Sequence, residues 1–331
     1  ANVAIGRDAM CANTTGANGV AVGYGALCKN TTGSSNTAVG TDALTANTTG
    51  ASNVAVGLLA LNANTTGTGN VGVGCGSLLV HTTGAFTTAL GFRAMCSNTT
   101  VSGNTGLGAC ALKKNTTGGG NTAVGYQSLQ LNTTGANNTA MACDALAFNT
   151  TGSDNTAVGY QALCKNTTGY DNIAVGRGSL TGNTTGHSNV ALGDYALLVN
   201  TTGHSNVAIG YKALCNHTTG AGNFGFGFQA GAEGGMINVT SENNRAIFGN
   251  NSVTNAYVKV AFTVTSDARD KTNFGTVPHG LDFVNKLEPV SFQFKKSRED
   301  DTPTGDLRYG FKAQDIMALE GDNPVIIDNE F

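Results

Sequence analysis

Tryptophan is absent from this 331-residue chain, only four prolines occur, and charged side chains make up 12 %. A core built in the ordinary way from large aromatic rings is therefore excluded. The poverty in proline and charge argues against a disordered chain, and the 47 glycines lack the every-third spacing of collagen. No apolar run of about 18 residues is present, so no membrane insertion is expected. The net charge of −3, without a basic patch interleaved with aromatics, gives nucleic acid nothing to bind. No cofactor or metal is expected either. Ala1 is neither an initiator Met nor part of a signal peptide, and it reads as the last position of a preceding repeat, so an upstream attachment region is expected.

What is present is a period. Asn155 to Asp171, NTAVGYQALCKNTTGYD, is seventeen residues long, and the same pattern starts at Asn2 and recurs without slippage to Asn206, with a further copy beginning at Asn223. Fixed-period self-similarity over two thirds of a chain means a repeat architecture, so length measures a rod and not a number of domains.

Each position has its own chemistry. Position 2 is mostly Thr, Val or Ile and position 4 mostly Val, Ile or Leu, around an Ala or Gly at position 3, as in Thr156-Ala157-Val158. That alternation predicts a short strand with a β-branched face and a very small one. The small face would let another backbone approach closely. Position 5 is Gly in every repeat except at Ala142, which points to a backbone angle that only Gly takes easily. A small residue and then Leu or Met at positions 8 and 9 (Ala162-Leu163) predict a second buried patch and a second strand. Asn-Thr-Thr-Gly closes the coil, with Asn and Thr bonding nearby backbone and Gly supplying a left-handed residue. Val101 stands where this Gly should be, which predicts a local distortion.

Seventeen residues of this kind cannot fold alone. Stacked at ~4.8 Å they form a parallel β-solenoid whose position-12 asparagines hydrogen-bond along the axis. The expected fold is all-β: a rod over residues 1–228, an irregular transition over 229–265, and a small α+β segment over 266–331. Charge shifts along the chain in the same sense, since residues 1–223 carry eight Lys/Arg and six Asp/Glu and the last third carries ten and fifteen.

Other candidate sites have blander readings beside them. Five of the eight cysteines (Cys11, Cys28, Cys96, Cys164, Cys215) share position 10 and alternate with Leu, Thr or Ala, as free thiols in a reducing compartment would; Cys11 and Cys28, on adjacent coils, are the pair to check for a bond. The Asn-Thr-Thr triplets match a glycosylation pattern but sit where the turn needs them. His187 and His204 share position 16 and read as solvated turn residues before metal ligands. Tyr24, Tyr126, Tyr160 and Tyr211 share position 6, either as a glycan-stacking stripe or as strand-end packing. A glycan-cleaving site would need paired carboxylates, and Asp42, Asp144, Asp154, Asp171 and Asp194 are scattered.

Asn2-Val3-Ala4-Ile5-Gly6 and Asn206-Val207-Ala208-Ile209-Gly210 resemble the signature of trimeric autotransporter adhesin heads, with three more residues per coil. That resemblance implies a left-handed roll with three chains side by side, the small-residue face between them. Asn-Thr-Ala-Val-Gly and Asn-Thr-Thr-Gly arrays are also similar to those of phage tail-fibre proteins. Further on, Ser266-Asp267-Ala268-Arg269-Asp270-Lys271, then Gly280 to Leu287, Pro289-Val290, and Gly310 to Asp315 resemble, in that order, the intramolecular chaperone of endosialidase tail spikes.

The resemblance implies a homotrimerising module that cuts itself off between Ser266 and Asp267, with Ser266 as nucleophile and Lys271 as base. Such a pair needs a Lys whose amine is kept neutral by burial. The plain alternative is that Ser266 or Asp267 caps a short helix and Lys271 is exposed. At most this is a single-turnover self-cleavage, with no turnover enzyme. The implied protein is a host-attachment fibre of a virion tail, assembled in the host cytoplasm, with a cell-surface receptor (glycan or protein) and other tail or baseplate proteins as partners. The alternative is a cellular trimeric surface adhesin or extracellular fibre.

Overall fold

The computed structural model describes residues 1–232, 238–254, 286–295, 302–310 and 312. Two compact units divide the chain, Ala1–Asn250 and Asn251–Phe331. The first is a parallel β-solenoid. Fifteen three-residue strands, β1 (Val3–Ile5), β2 (Val20–Val22) and so on through β14 (Phe224–Phe226) to β15 (Ala246–Phe248), pair in strict chain order as one sheet. The register is that of the repeat: Thr156, Ala157 and Val158 of β10 (Thr156–Val158) face Ile173, Ala174 and Val175 of β11 (Ile173–Val175). From β1 to β14 each coil takes seventeen residues. The step to β15 takes five more, with Phe224 opposite Ala246, so the ladder continues through a stretch in which the sequence period is hidden.

The alternating strand faces are oriented opposite to the expectation from packing between chains. The small residue at position 3 points into its own coil: Ala21, Ala38, Ala157 and Ala208 are wholly buried. The reason is the Leu of position 9, which fills the interior. A Cβ on Gly225 would lie 2.7 Å from Leu214 Cγ, and one on Gly72 only 3.2 Å from Leu61 Cγ. The β-branched positions 2 and 4 face outward and are half-buried or exposed.

Only one strand forms per coil. The second predicted strand is replaced by a turn in which positions 7 and 9 are left-handed, as at Gln161 (φ 57°) and Leu163 (φ 51°). Left-handed backbone costs a non-glycine residue roughly 1 kcal/mol, and burying the Leu side chain offsets it with about 1.5–3 kcal/mol. Leu27 through Leu214 form a fully buried column on that exchange. The turn is laddered as tightly as the sheet, since Leu146 N–H donates to Ala162 O (3.0 Å) and Phe148 N–H to Cys164 O (3.0 Å).

Two glycine positions have different causes. At position 5 the backbone is left-handed throughout, from Gly6 (φ 127°) to Gly210 (φ 125°), and Ala142 is held at φ 122°. At position 15 the expected left-handed angle is absent. Glycine is required there because a Cβ on Gly16 would lie 2.5 Å from both Asn13 Oδ1 and Gly33 O.

The asparagine column at position 12 forms as expected. Asn149 Nδ2 donates to Asn132 Oδ1 (2.8 Å) and to Gly152 O (2.8 Å), and Asn166 repeats the pattern onto Asn149 (2.8 Å). A second column, at position 1, has no counterpart in the sequence reading: Asn155 N–H and Nδ2 both donate to Asn138 Oδ1 (3.0 and 3.1 Å), and Nδ2 also reaches Gly169 O.

The first column is interrupted at Asn98, three residues before Val101, where the preceding member is His81, which offers no Oδ1 and places its Nδ1 2.9 Å from Asn98 Oδ1. Asn98, fully buried, leaves Nδ2 without a partner. Val101→Gly should restore the bond from Asn98 to the residue-101 carbonyl and raise stability by about 1–3 kcal/mol, the cost of an unmade buried hydrogen bond. An unchanged denaturant midpoint would show that the coil has already relaxed around the valine.

In the second unit the described residues form an antiparallel pair, β16 (Val290–Lys295) and β17 (Pro303–Gly310), with a register shift between Phe292 and Phe294. No helix occurs among the described residues, and none is long and apolar enough to cross a membrane.

Candidate functional site

Ser266 and Lys271 lie outside the described residues, as do most of the motifs that follow. Of the C-terminal segment, Pro289 and Val290 lead into β16, and a cleft of about 450 Å³ is lined by Val290, Ser291, Phe292 and Lys312.

The solenoid's candidates can be placed individually. Asn64, Asn132 and the other position-12 asparagines from Asn30 onward are buried inside the coil, where a glycan has no room. All eight cysteines are free thiols. Cys11 and Cys28 are brought together, Sγ to Sγ at 2.8 Å. That hydrogen bond, with partial burial, pushes the Cys28 thiol up to about 11, so Cys28 stays protonated at neutral pH.

Aromatic residues gather in two places. At position 16 the rings of Tyr170, His187 and His204 form one exposed stack, with centroids 4.7 and 4.8 Å apart. Each imidazole Nδ1 lies 3.3 Å from the hydroxyl of the next serine, Ser188 or Ser205. The position-6 tyrosines do not form a continuous stripe. Tyr24 is covered by the Arg7 guanidinium at 4.8 Å, while Tyr211 stacks on Phe228 at 5.5 Å with Tyr195 edge-on. Tyr195, at position 7, carried no signal in the repeat because it is a single exception to a mixed position. Among the described residues no three His, Cys, Asp or Glu side chains converge on a common point.

Two histidines, His81 and His217, replace asparagine in the buried column and are fully enclosed by the fold. Each Nε2 takes over the asparagine bond, to Gly84 O (3.0 Å) and Gly220 O (2.9 Å). Neither passes a donor back to the preceding coil, and Asn64 Oδ1 and Asn200 Oδ1 are left without partners. Burial holds both rings below the ordinary histidine range, against the opposing pull of the carbonyls and, at His217, of Glu242.

Acid therefore protonates these imidazoles in the unfolded chain first. Their contribution is fully present above the ordinary histidine value near 6.5 and is lost as pH falls from there toward the depressed folded values. Urea midpoints should drop between about pH 7 and pH 5, and the double variant His81→Asn/His217→Asn should flatten that slope. A wild-type slope carried over unchanged into the double variant would assign it to other groups.

The fold thus defines a long repeat solenoid whose described surface holds no enclosed catalytic cluster, joined to a small C-terminal unit. Residues 266–323 match the family model described as chaperone of endosialidase, and the match begins at Ser266. No curated protein and no solved structure matches the chain.

Proposed function

We propose that the chain is the shaft of a homotrimeric, tail-fibre-like protein that reaches for a host cell surface, with residues 266–331 acting as its intramolecular chaperone. The observation that carries this reading is the chaperone-of-endosialidase match at 266–323, directly downstream of a fifteen-strand solenoid. The two parts have a physical reason to occur together. Thirteen near-identical coils can pair at a one-repeat slip, and the two open ends of the ladder invite further strands. A C-terminal clamp that holds three chains in register removes that freedom before the coils zip. The tripartite division at residues 228 and 265 belongs to this reading, as do a virion location, a surface receptor and further tail partners.

Ser266 is the proposed nucleophile and Lys271 the base that takes its hydroxyl proton. Hydrolysis of the Ser266–Asp267 peptide bond then consumes one water and leaves a rod ending at Ser266. The purified chain should sediment as a trimer while its denatured mass shows a fragment ending at Ser266. Ser266→Ala and Lys271→Ala should each leave the chain uncut. A full-length trimer would keep the fibre and remove the cleavage chemistry, and a monomer would overturn the fibre.

A further inference from the structure

Charge is distributed unevenly over the coil. Every Lys, Arg, Asp and Glu between Asn2 and Asn223 falls on repeat positions 6, 7, 10, 11 or 17, from Arg7 and Asp8 to Asp194 and Lys212. None falls on positions 2 or 4, the outward face of the sheet. Position 4 is apolar on all fourteen strands from Ile5 to Phe226, and position 2 alternates Val, Ile and Thr before ending on Phe224. The side chains on this face are half-buried to exposed in the single chain, reaching 60 % exposure at Ile5, 48 % at Leu90, 42 % at Met141 and 50 % at Phe226. The strip runs roughly 60 Å at ~4.8 Å per strand. At about 10 Å wide it offers on the order of 600 Å², at the top of what a lone soluble chain exposes.

We infer that this β-branched stripe, and not the small-residue face, is where copies of the same chain pack along the rod. The inference rests on the trimeric reading above and adds which surface meets which. The occupant follows from the missing charge. Around a rotation axis each residue near the axis meets its own copies, so any charge placed there would face an identical charge, which is destabilising. A foreign partner imposes no such rule, since it can supply the opposite sign. The spacing agrees as well: a stripe that repeats once per coil is matched, coil for coil, by a copy in the same register.

Radical footprinting of the unmodified full chain, run beside sedimentation, tests this without a variant. Phe86 at position 17 and Phe148 at position 11 are 74 % and 51 % exposed and serve as internal references off the stripe. In a trimer, Phe226, 50 % exposed in the single chain, should label about fivefold or more slowly than these two phenylalanines, because an interface core excludes water. A trimer in which Phe226 labels as readily as Phe148 would overturn the packing face and leave the fibre standing. A monomer would overturn both.

Discussion

Gly159→Ala is expected to lower stability by on the order of 3–5 kcal/mol, the range reserved for substitutions that break backbone packing. Gly159 sits at φ 132°, where an L side chain is strained by about 1–3 kcal/mol before any contact is counted. Its Cβ would then lie 2.6 Å from Gly176 O and 2.7 Å from Gly176 C, both backbone atoms of the next coil. Neither can rotate away, so the two coils must part. The ladder bonds from Gly159 N–H to Met141 O (2.9 Å) and from Gly176 N–H to Val158 O (2.8 Å) are strained with them.

Since a solenoid's coils touch only their neighbours, the damage should be local. Amide exchange should quicken around residues 140–180 while Val20–Val22 keeps its protection. Ala142 supplies the reciprocal experiment: it already holds φ 122°, and Ala142→Gly should gain roughly 1–3 kcal/mol by releasing that strain. If Gly159→Ala unfolds at the wild-type denaturant concentration, position 5 does not need glycine and the explanation of the repeat's most regular residue is wrong.

How much of this was legible follows from what a sequence repeat encodes. The seventeen-residue period, the strand at positions 2 to 4, the glycine angle at position 5 and the asparagine column at position 12 were readable because one residue type recurs for one physical reason. The orientation of the strand was not. Alternation in Thr156-Ala157-Val158 shows two faces, but neither carries a charge to mark the solvent side, and Leu163 packing inside the coil decides that Ala157 goes in and Val158 out.

The left-handed turn at positions 7 and 9 gave no signal either, since Gln161 and Leu163 are not residues that favour it. Their angles are imposed by the laddered bonds on both sides. Asn155 stood in the sequence only as the first residue of the repeat, and its role in a second hydrogen-bond column emerges only when coils are stacked. The five extra residues before β15 hid the last step of the ladder because a changed spacing removes the one cue the repeat offers. For the C-terminal segment, a resemblance carried by several motifs in order put Ser266 and Lys271 forward as the proposed pair, and the family match over residues 266–323 begins on the first of them.

Asn149→Asp changes one NH₂ group for an oxygen and should cost roughly 3–5 kcal/mol at neutral pH, as loss of a partner to a buried charge does. Asn149 is fully buried and uses every group it has: Nδ2 donates to Asn132 Oδ1 and Gly152 O, both at 2.8 Å, and Oδ1 accepts from Asn166 Nδ2 at 2.8 Å. An aspartate keeps the acceptor, loses both donors, and sets a negative oxygen against two others. Burial and those neighbours favour its protonated form, raising its folded pKa above the ordinary carboxylate value. The penalty is then full at neutral pH and shrinks as pH falls through the raised value, so acid should rescue the variant in part.

Asn149→His is the control, because His81 and His217 already stand in this column and donate through Nε2 to Gly84 O and Gly220 O. It should leave Asn132 Oδ1 unpartnered, as Asn64 and Asn200 are, and its own Nδ1 as at His217, at about 1–3 kcal/mol for each group. Urea unfolding at pH 7 and near pH 5 separates the two. Equal losses for Asp and His at pH 7 would mean the column serves only to fill space, while a large Asp penalty that acid relieves would show that the donor direction along the rod is what the repeated asparagine maintains.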